Sequence, residues 1–448
     1  MQAETRLCYM GLARVPATTK HVVFAMLHES GHLNPSFKLA KALIARGHRV
    51  SYLAIPDAEP LIAPQGIPTL PLWPDLFPAG FVAQEEKLST LARRRAITRR
   101  YDELLRRLER RAGELFPSAP DLLVVDVTQP QFAFWGRRAG VPFLYLNTSL
   151  PQTHDRGVPP LRSGRSFHPE WSHKLQAELD WERFLLKRRV SAAAADLGGM
   201  CPPYDLARKR AKRFGVRRRE LDWRTAYMPQ LRDVLELGLC PPAFDFPRPA
   251  APRRIAIASV DLERSERPFD WSAVPDDKPL IFCALGGQRY RPEDVPGFFA
   301  RLVSMMTTHP DWHLLLCVGK HVAPSSLGAL PDNVSVRESA PQLAVLRRAR
   351  AMITHAGLGS VKECILNGVP MLAVPLDVDQ PANAARVAYH GLGLLADVRD
   401  STQEELSSKL RRLLTDRELQ ARMARMRERF LEVEQSDRGV EQVEAFFG

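Results

Sequence analysis

Long apolar runs are missing from this chain: nowhere in its 448 residues does a stretch approach the roughly 18 to 20 apolar residues needed to cross a bilayer. The first residues lack the charged-then-apolar layout of a secretory leader, so the expected location is cytoplasmic. Cysteine is scarce as well. The six, Cys8, Cys201, Cys240, Cys283, Cys317 and Cys364, form no C-x-x-C pair, which excludes a disulfide-stapled module and fits a reducing compartment. No histidine or cysteine spacing suggests zinc, and no short internal repeat is present.

What the chain does have is an ordinary globular composition, 45% hydrophobic and 25% charged, which excludes a disordered polymer. At roughly 100 to 200 residues per domain it should build two or three cores. Its 63 lysines and arginines outnumber 51 aspartates and glutamates, a formal surplus of +12. Such a surplus raises nucleic acid, an anionic membrane or an anionic substrate as partners.

Hydrophobic periodicity gives the organisation. HVVFAML reads as a buried strand, NPSFKLAKALIAR as a helix closed by Gly47, and HRVSYLAI as a second strand. Two strands around one helix in so short a span are the unit of a doubly wound parallel sheet. LLVVD and VPFLYLN continue it, after a long helical pattern with Ile97, Tyr101, Leu104, Leu105, Leu108, Ala112 and Leu115 on one face and mostly arginine on the other. Residues 151–230 lose the strand rhythm and read as a helical, basic insertion, followed by the proline-dense CPPAFDFPRPAAPRR, read as part of a linker region. The α/β rhythm then restarts with LIFCALGG, WHLLLCVG, VSVRE, AMITH and PMLAVP. The expected domains are therefore 1–250, a linker at 251–279, 280–420, and a final helix at 421–448 packing back on the first domain.

The most informative stretch is AMITHAGLGSVKECILNGVPMLAVPLDVDQPANAARV. A strand ends at His355, Ala356, Gly357 and Gly359 make a tight turn, and a helix runs from near Ser360 to Gly368. Such a turn lets backbone N–H groups and a helix N-terminus meet an anion, with His355 and Ser360 as donors to phosphate and Glu363 as an acceptor from sugar hydroxyls. The same spacing also fits a plain strand-to-helix turn with a surface histidine. In the first half, His32 lies in ESGHLNPS after the first strand, and Asp126 closes LLVVD, so both stand at carboxyl edges where open α/β sheets bind ligands. The histidine can take a proton from a hydroxyl and the carboxylate can hold its tautomer; equally, the pair could be a helix-start residue and a cap. His28 is the fallback base.

The later stretch resembles the C-terminal signature of the UDP-sugar-dependent glycosyltransferases of natural products and lipids. The resemblance begins at Pro341 and Gln342, takes in His355, Gly357, Ser360, Glu363, Gly368, Val369, Pro370 and Pro375, and ends at Asp379, Gln380, Pro381, Asn383 and Ala384. It implies a GT-B fold, two Rossmann-like doubly wound domains facing across a cleft, and a UDP-sugar as co-substrate rather than a bound cofactor. It also implies that His355 and Ser360 hold the diphosphate, that Glu363 binds the ribose and Gln342 lies beside the uracil. Asp379 and Gln380 would contact the donor sugar. Leu358 stands where a tryptophan is usual and Gly359 where an asparagine touches phosphate, which loosens the inference about the sugar. GHLNP and VVD resemble the family's base and its partner, which favours His32 and Asp126 as the catalytic pair. LGGQRY resembles its phosphate loop, with Gly287 offering backbone contact. Asp377-Val378-Asp379 looks like a D-x-D metal motif, but its place before Gln380 matches a sugar-contact loop, so no metal is expected.

The implied reaction is inverting transfer of a hexose, glucose first, to a hydroxyl of a hydrophobic acceptor. Its rivals are a membrane-associated UDP-GlcNAc-type transferase of cell-envelope assembly and a non-catalytic nucleotide-sugar binder; nucleic acid is suggested by charge alone and is not expected. Trp73, Phe77, Phe81, Trp171, Trp181 and Phe184 fit either a core or an apolar acceptor pocket. The charge surplus is local. Residues 150–225 carry 17 basic against 9 acidic side chains and residues 93–111 nine against three, so these stretches hold more than the whole surplus. They read as solvated helix faces or as a basic face that meets anionic lipid.

Overall fold

The computed structural model describes residues 18–197, 200–264, 266–286, 294–320 and 322–447. The first half builds a sheet from β1 (His21–Ala25), β2 (Arg49–Ala54), β3 (Thr69–Pro71), β4 (Leu122–Asp126) and β5 (Phe143–Asn147). A small hairpin of β6 (Leu221–Asp222) and β7 (Gln230–Leu231) precedes its last members, β8 (Glu236–Gly238) and β9 (Arg254–Ala256). The order is β3-β2-β1-β4-β5-β8-β9, all parallel. The second sheet orders β10 (Leu280–Ala284), β11 (His313–Cys317), β12 (Val334–Arg337), β13 (Ala349–Thr354), β14 (Met371–Ala373) and β15 (Gly393–Leu395) as β12-β11-β10-β13-β14-β15, again parallel. Helices cover both faces of each sheet, so its central strands read as continuous apolar runs: all five residues of β1, β4 and β11 are buried.

In the first domain the helices are α1 (Ser30–Ala45), α2 (Glu59–Ile62), α3 (Phe81–Glu86), α4 (Thr90–Arg111), α5 (Pro130–Ala139), α6 (Trp171–Leu197) and α7 (Pro203–Ala211). Leu33, Phe37, Ala40 and Leu43 give α1 its buried stripe, and Leu104, Leu105 and Leu108 that of α4. The second domain carries α8 (Asp294–Met306), α9 (Gln342–Leu346), α10 (Leu358–Asn367), α11 (Gln380–Tyr389) and α12 (Gln403–Thr415). α13 (Arg417–Glu434) packs on α10, and α14 (Arg438–Glu444) returns to α1, where Val440 and Val443 join the first domain's core.

Both sheets reverse direction once, between β1 and β4 and between β10 and β13. In an open α/β sheet the crevice at such a switch point, outside the strand carboxyl ends, is the ligand site. The loops leaving these four strands carry His32, Asp126, the segment after Ala284, and His355.

The expected linker is more structured than its proline content implies. β9 falls inside 251–279 and pairs with β8, so the first sheet extends to Ala256; a three-residue edge strand is too short to show alternation. Upstream of it, Phe244 and Phe246 are buried and Asp245 accepts hydrogen bonds from Arg386 Nε at 2.7 Å and Arg248 Nε at 2.5 Å. Arg386, on α11, is itself buried and lies over the Phe246 ring at 4.0 Å. Proline here stiffens a strap that leaves the first sheet after β8, is fixed to the helix following the Asp379 loop, and returns to β9. Replacing Asp245 with Ala would leave the buried Arg386 guanidinium without its carboxylate, a change costing about 3–5 kcal/mol. The expected result is a clear fall in the urea midpoint with unchanged slope; a midpoint within error of wild type would remove this anchor.

Candidate active site

Strand order brings together residues far apart in sequence. α1 starts just after β1, and β1 lies beside β4, so His32 in the first turn of α1 meets Asp126 at the end of β4. His32 Nδ1 lies 2.7 Å from Asp126 Oδ2. The carboxylate is wholly buried and receives further hydrogen bonds from Leu27 N at 3.3 Å, Thr128 N at 2.9 Å and Thr128 Oγ1 at 2.7 Å. It is thus rigid and well satisfied. β5 adds Thr148, whose Oγ1 is 2.8 Å from the same His32 nitrogen. A proton on Nδ1 shared with Asp126 leaves the lone pair on Nε2, and the His32 side chain keeps 20% exposure.

Burial opposes the charged imidazolium, but the charge and hydrogen bond of Asp126 outweigh it and hold His32 above its ordinary value. Burial likewise works against the Asp126 carboxylate, and the imidazole and Thr128 overcome it, keeping that group below its usual range. His28 differs: its Nε2 lies 2.9 Å from the Leu53 carbonyl, and burial lowers its pKa. That nitrogen is committed to the backbone, which argues against the fallback base.

Across the cleft, β13 ends one residue before His355, and Ala356 turns the chain at a φ of 61°. Asn383 Nδ2 donates to the Ala356 carbonyl at 3.0 Å and to Asp379 Oδ2 at 3.2 Å, tying the turn to the Asp379 loop. α10 begins at Leu358, slightly earlier than the spacing suggested, with Gly357 as its N-cap. A Cβ on Gly357 would sit 2.5 Å from His355 Nε2, so only glycine leaves room for the ring. On Gly359, by contrast, a Cβ would meet nothing within 4 Å, which leaves open space at the helix entrance. Burial pushes the His355 imidazole down to about 4, against a backbone hydrogen bond with Ala284 that favours the charge. It is therefore neutral at pH 7 and offers a hydrogen bond rather than a positive charge.

Gln342, Ser360 and Glu363 converge: Gln342 Nε2 is 3.2 Å from Ser360 Oγ and 2.7 Å from Glu363 Oε2. Arg264, which the sequence did not signal, donates to Glu363 Oε1 at 2.5 Å. Gln380 is buried and its side-chain carbonyl accepts from Leu376 N at 2.9 Å and Asp377 N at 3.0 Å, so that oxygen shapes its own loop. Gly287 lies outside the described residues.

The two halves meet electrostatically. Asp379 raises the proton affinity of His32, and burial raises its own pKa. Arg162, from the first domain, donates to Asp377 Oδ1 at 2.7 Å and closes one side of the cleft. The Tyr227 hydroxyl, in the field of Asp379, Arg162 and Asp377, is buried with no hydrogen-bond partner among the described residues. A cavity of about 490 Å³ lies between the loop of Pro160, Arg162 and Arg165 and the α6 residues Asp180, Arg183 and Phe184. Of the six aromatics noted in the sequence, Phe184 lines this cavity, Trp73 and Trp181 are core, and Trp171 is 78% exposed. Among the described residues no group of three or more His, Cys, Asp or Glu is placed to hold a metal ion. Asp377 and Asp379 are engaged separately, by Arg162 and Asn383.

Comparison with known proteins agrees with this geometry. Residues 319–438 match the family model described as UDP-glucoronosyl and UDP-glucosyl transferase. The chain is 27% identical over 435 residues to the oleandomycin glycosyltransferase of Streptomyces antibioticus, covering 96% of this chain and 91% of that one. It is 28% identical over 414 residues to the zeaxanthin glucosyltransferase of Pantoea ananas, covering 88% of each. The solved glycotransferase of kitacinnamycin superposes with a TM-score of 0.72 at 23% identity, over 96% of this chain and 99% of that one, and shares its fold. Two parallel-sheet domains with their switch points toward a common site, joined to these full-length likenesses, make the chain a glycosyltransferase of the GT-B fold, whose second domain is similar to the UDP-glycosyltransferases.

Proposed function

We propose that the protein transfers a hexose, glucose in the first instance, from a UDP-sugar to a hydroxyl of a hydrophobic small molecule or lipid, with inversion and without a metal. The observation that carries this is the His32–Asp126 pair, with Nε2 left for a substrate and Asp379 acting on it from the opposite domain. His32 Nε2 takes the acceptor's hydroxyl proton as the oxygen attacks the anomeric carbon. The bond from that carbon to the diphosphate oxygen breaks, and UDP departs with the electron pair from the opposite face. The proton stays on the imidazolium, stabilised by Asp126, until water removes it. His355, Ser360 and the first-turn N–H groups of α10 stabilise the leaving diphosphate. Glu363 with Arg264, and Gln342, receive the nucleoside, while Asp379 and Gln380 meet the sugar. The relatives' names, an oleandomycin and a zeaxanthin transferase, favour a bulky apolar acceptor. The basic surplus fits a cytoplasmic enzyme that meets such an acceptor near an anionic surface.

Replacing His32 with Ala should lower turnover by about 10² to 10⁴, the scale of a general base, while UDP binding measured by calorimetry stays near wild type. Unchanged turnover would sink the assignment.

The pH dependence follows from the raised His32 pKa. Transfer needs the neutral imidazole, so kcat/KM should fall as pH drops through a value above 6.5. In Asp126→Asn the opposing carboxylate is gone while burial remains, so this acid limb should move to lower pH and the plateau rate should drop. A pH profile in which the limb does not move would separate the two residues.

A further inference from the structure

α6 carries a feature that neither sugar donor nor base uses. Trp171, Leu175, Leu179, Leu186 and Val190 are 78%, 52%, 45%, 59% and 61% exposed. At about 100° per residue these five fall within an arc of about 100°, an apolar stripe along one side of the helix that Glu182 and Arg189 interrupt. The opposite side holds the helix to the body: Ala177, Trp181 and Leu185 are buried, and Trp181 Nε1 donates to the Val158 carbonyl at 2.8 Å. Arg188 adds bonds to the carbonyls of Thr225 and Trp223 at 2.8 and 2.9 Å. The stripe therefore faces outward by construction. Large apolar side chains aligned on a solvent face mark an interaction surface rather than scattered exposure.

The residues around the stripe identify the partner. Lys174, Arg183, Lys187 and Arg189 are exposed on the same helix, and the exposed acid among them, Glu182, is paired with Arg224 at 2.8 Å. A second exposed apolar and basic group lies around the start of α4, a helix whose Thr98 Oγ1 reaches the Cys201 carbonyl at 3.2 Å, just beyond the end of α6. There Leu88 and Leu91 are 42% and 50% exposed, followed by exposed Arg93, Arg94, Arg95 and Arg99. A second copy would set these basic groups against their own kind, whereas an anionic lipid surface neutralises them and takes up the apolar stripe.

We propose that α6 and the first turns of α4 dock the first domain on an anionic bilayer, with the stripe in the headgroup region. Asp180, Arg183 and Phe184 carry the flank of α6 into the 490 Å³ cavity, whose far wall, Arg162, is bonded to Asp377. Docking thus sets this open pocket beside the lipid, where an apolar acceptor would enter; this last step rests on the acceptor reading above.

The test is sedimentation of the full chain with phosphatidylcholine vesicles and with vesicles also containing phosphatidylglycerol, alongside UDP release on a water-soluble phenol. Wild type should pellet with the anionic vesicles alone. Lys187→Glu/Arg189→Glu should lower the partition at least about 25-fold, at roughly fivefold per charge, and Leu186→Gln/Val190→Gln at least about tenfold. All four positions are exposed, so melting temperatures and UDP release should stay at wild-type values. Absence of vesicle binding, equal binding to both vesicle types, or undiminished binding by the variants would overturn docking. So would a dimer in sedimentation velocity that Leu186→Gln/Val190→Gln disperses, because a second copy would then own the face. Failure of UDP release with docking intact would count against the proposed reaction and leave this surface standing.

Discussion

Everything the site does depends on two domains being held in one relative placement, and one buried carboxylate does much of that holding. Glu434, the last residue of α13, accepts from Ser259 N, Ser259 Oγ and Val260 N on the segment that crosses between domains, and from Lys38 Nζ on α1 at 2.8 Å. Lys362, buried on α10, binds the same crossing segment through Ser259 Oγ at 2.8 Å and the end of β8 through the Leu239 carbonyl at 2.7 Å. Buried charges are costly unless fully paired, and a full set of partners exists only in one relative placement of α1, α10 and α13. The constraint therefore acts on geometry: it selects one domain arrangement from those that apolar contact alone would tolerate.

That arrangement decides which chemistry is available. A histidine at the rim of one sheet is a weak base with nothing to attack; a glycine turn at the rim of another is an anion site with nothing to displace. In the reaction proposed above, the two together set a proton acceptor on one side of a sugar carbon and a leaving-group cradle on the other. Asp126 gives the imidazole its tautomer and a deeper affinity for the proton, and Asp379, proposed to meet the sugar, adds to that affinity. Coupling of this kind explains why the Asp379 loop is so heavily pinned, by Asn383 to the Ala356 turn, by Gln380 to its own backbone, and by Arg162 to the first domain.

Much of this was legible in the sequence because its signals are local. Buried parallel strands are continuous apolar runs, so LLVVD was readable to its last residue, and a helix that opens on glycines and ends on glycine announces both ends, although α10 starts two residues before Ser360. Asp126 and His32 could be placed on one rim from strand order, although 94 residues separate them. Thr148, Arg264 and Tyr227 could not, since each acts through a neighbour that only the folded chain supplies, and none sits in a periodic segment. The proline-dense strap misled for a related reason: its anchor, Asp245, is meaningful only beside Arg386, 141 positions later. The aromatic side chains of the insertion were ambiguous because burial depends on what packs over them, and Trp171 and Trp181 on one helix fall on opposite outcomes.

The surplus of basic residues is where composition and site part company. A diphosphate carries charge, and a basic chain invites the idea that its lysines and arginines are there to bind it. The proposed donor cradle is built otherwise: burial holds His355 in its neutral form, Ser360 and the α10 backbone are dipoles, and Arg264 is committed to Glu363. Fixed dipoles in a partly dry site stabilise a developing negative charge without having to be desolvated themselves, and they release the product more readily than a cluster of cations would. Many of the arginines stand on the outer faces of α4 and α6, where, in the docking proposed above, a weak attraction per residue summed over a surface would orient a whole domain. The proposed catalysis and docking thus use electrostatics in opposite ways, few preorganised dipoles within and many solvated charges without. A net charge read from composition reports only the second.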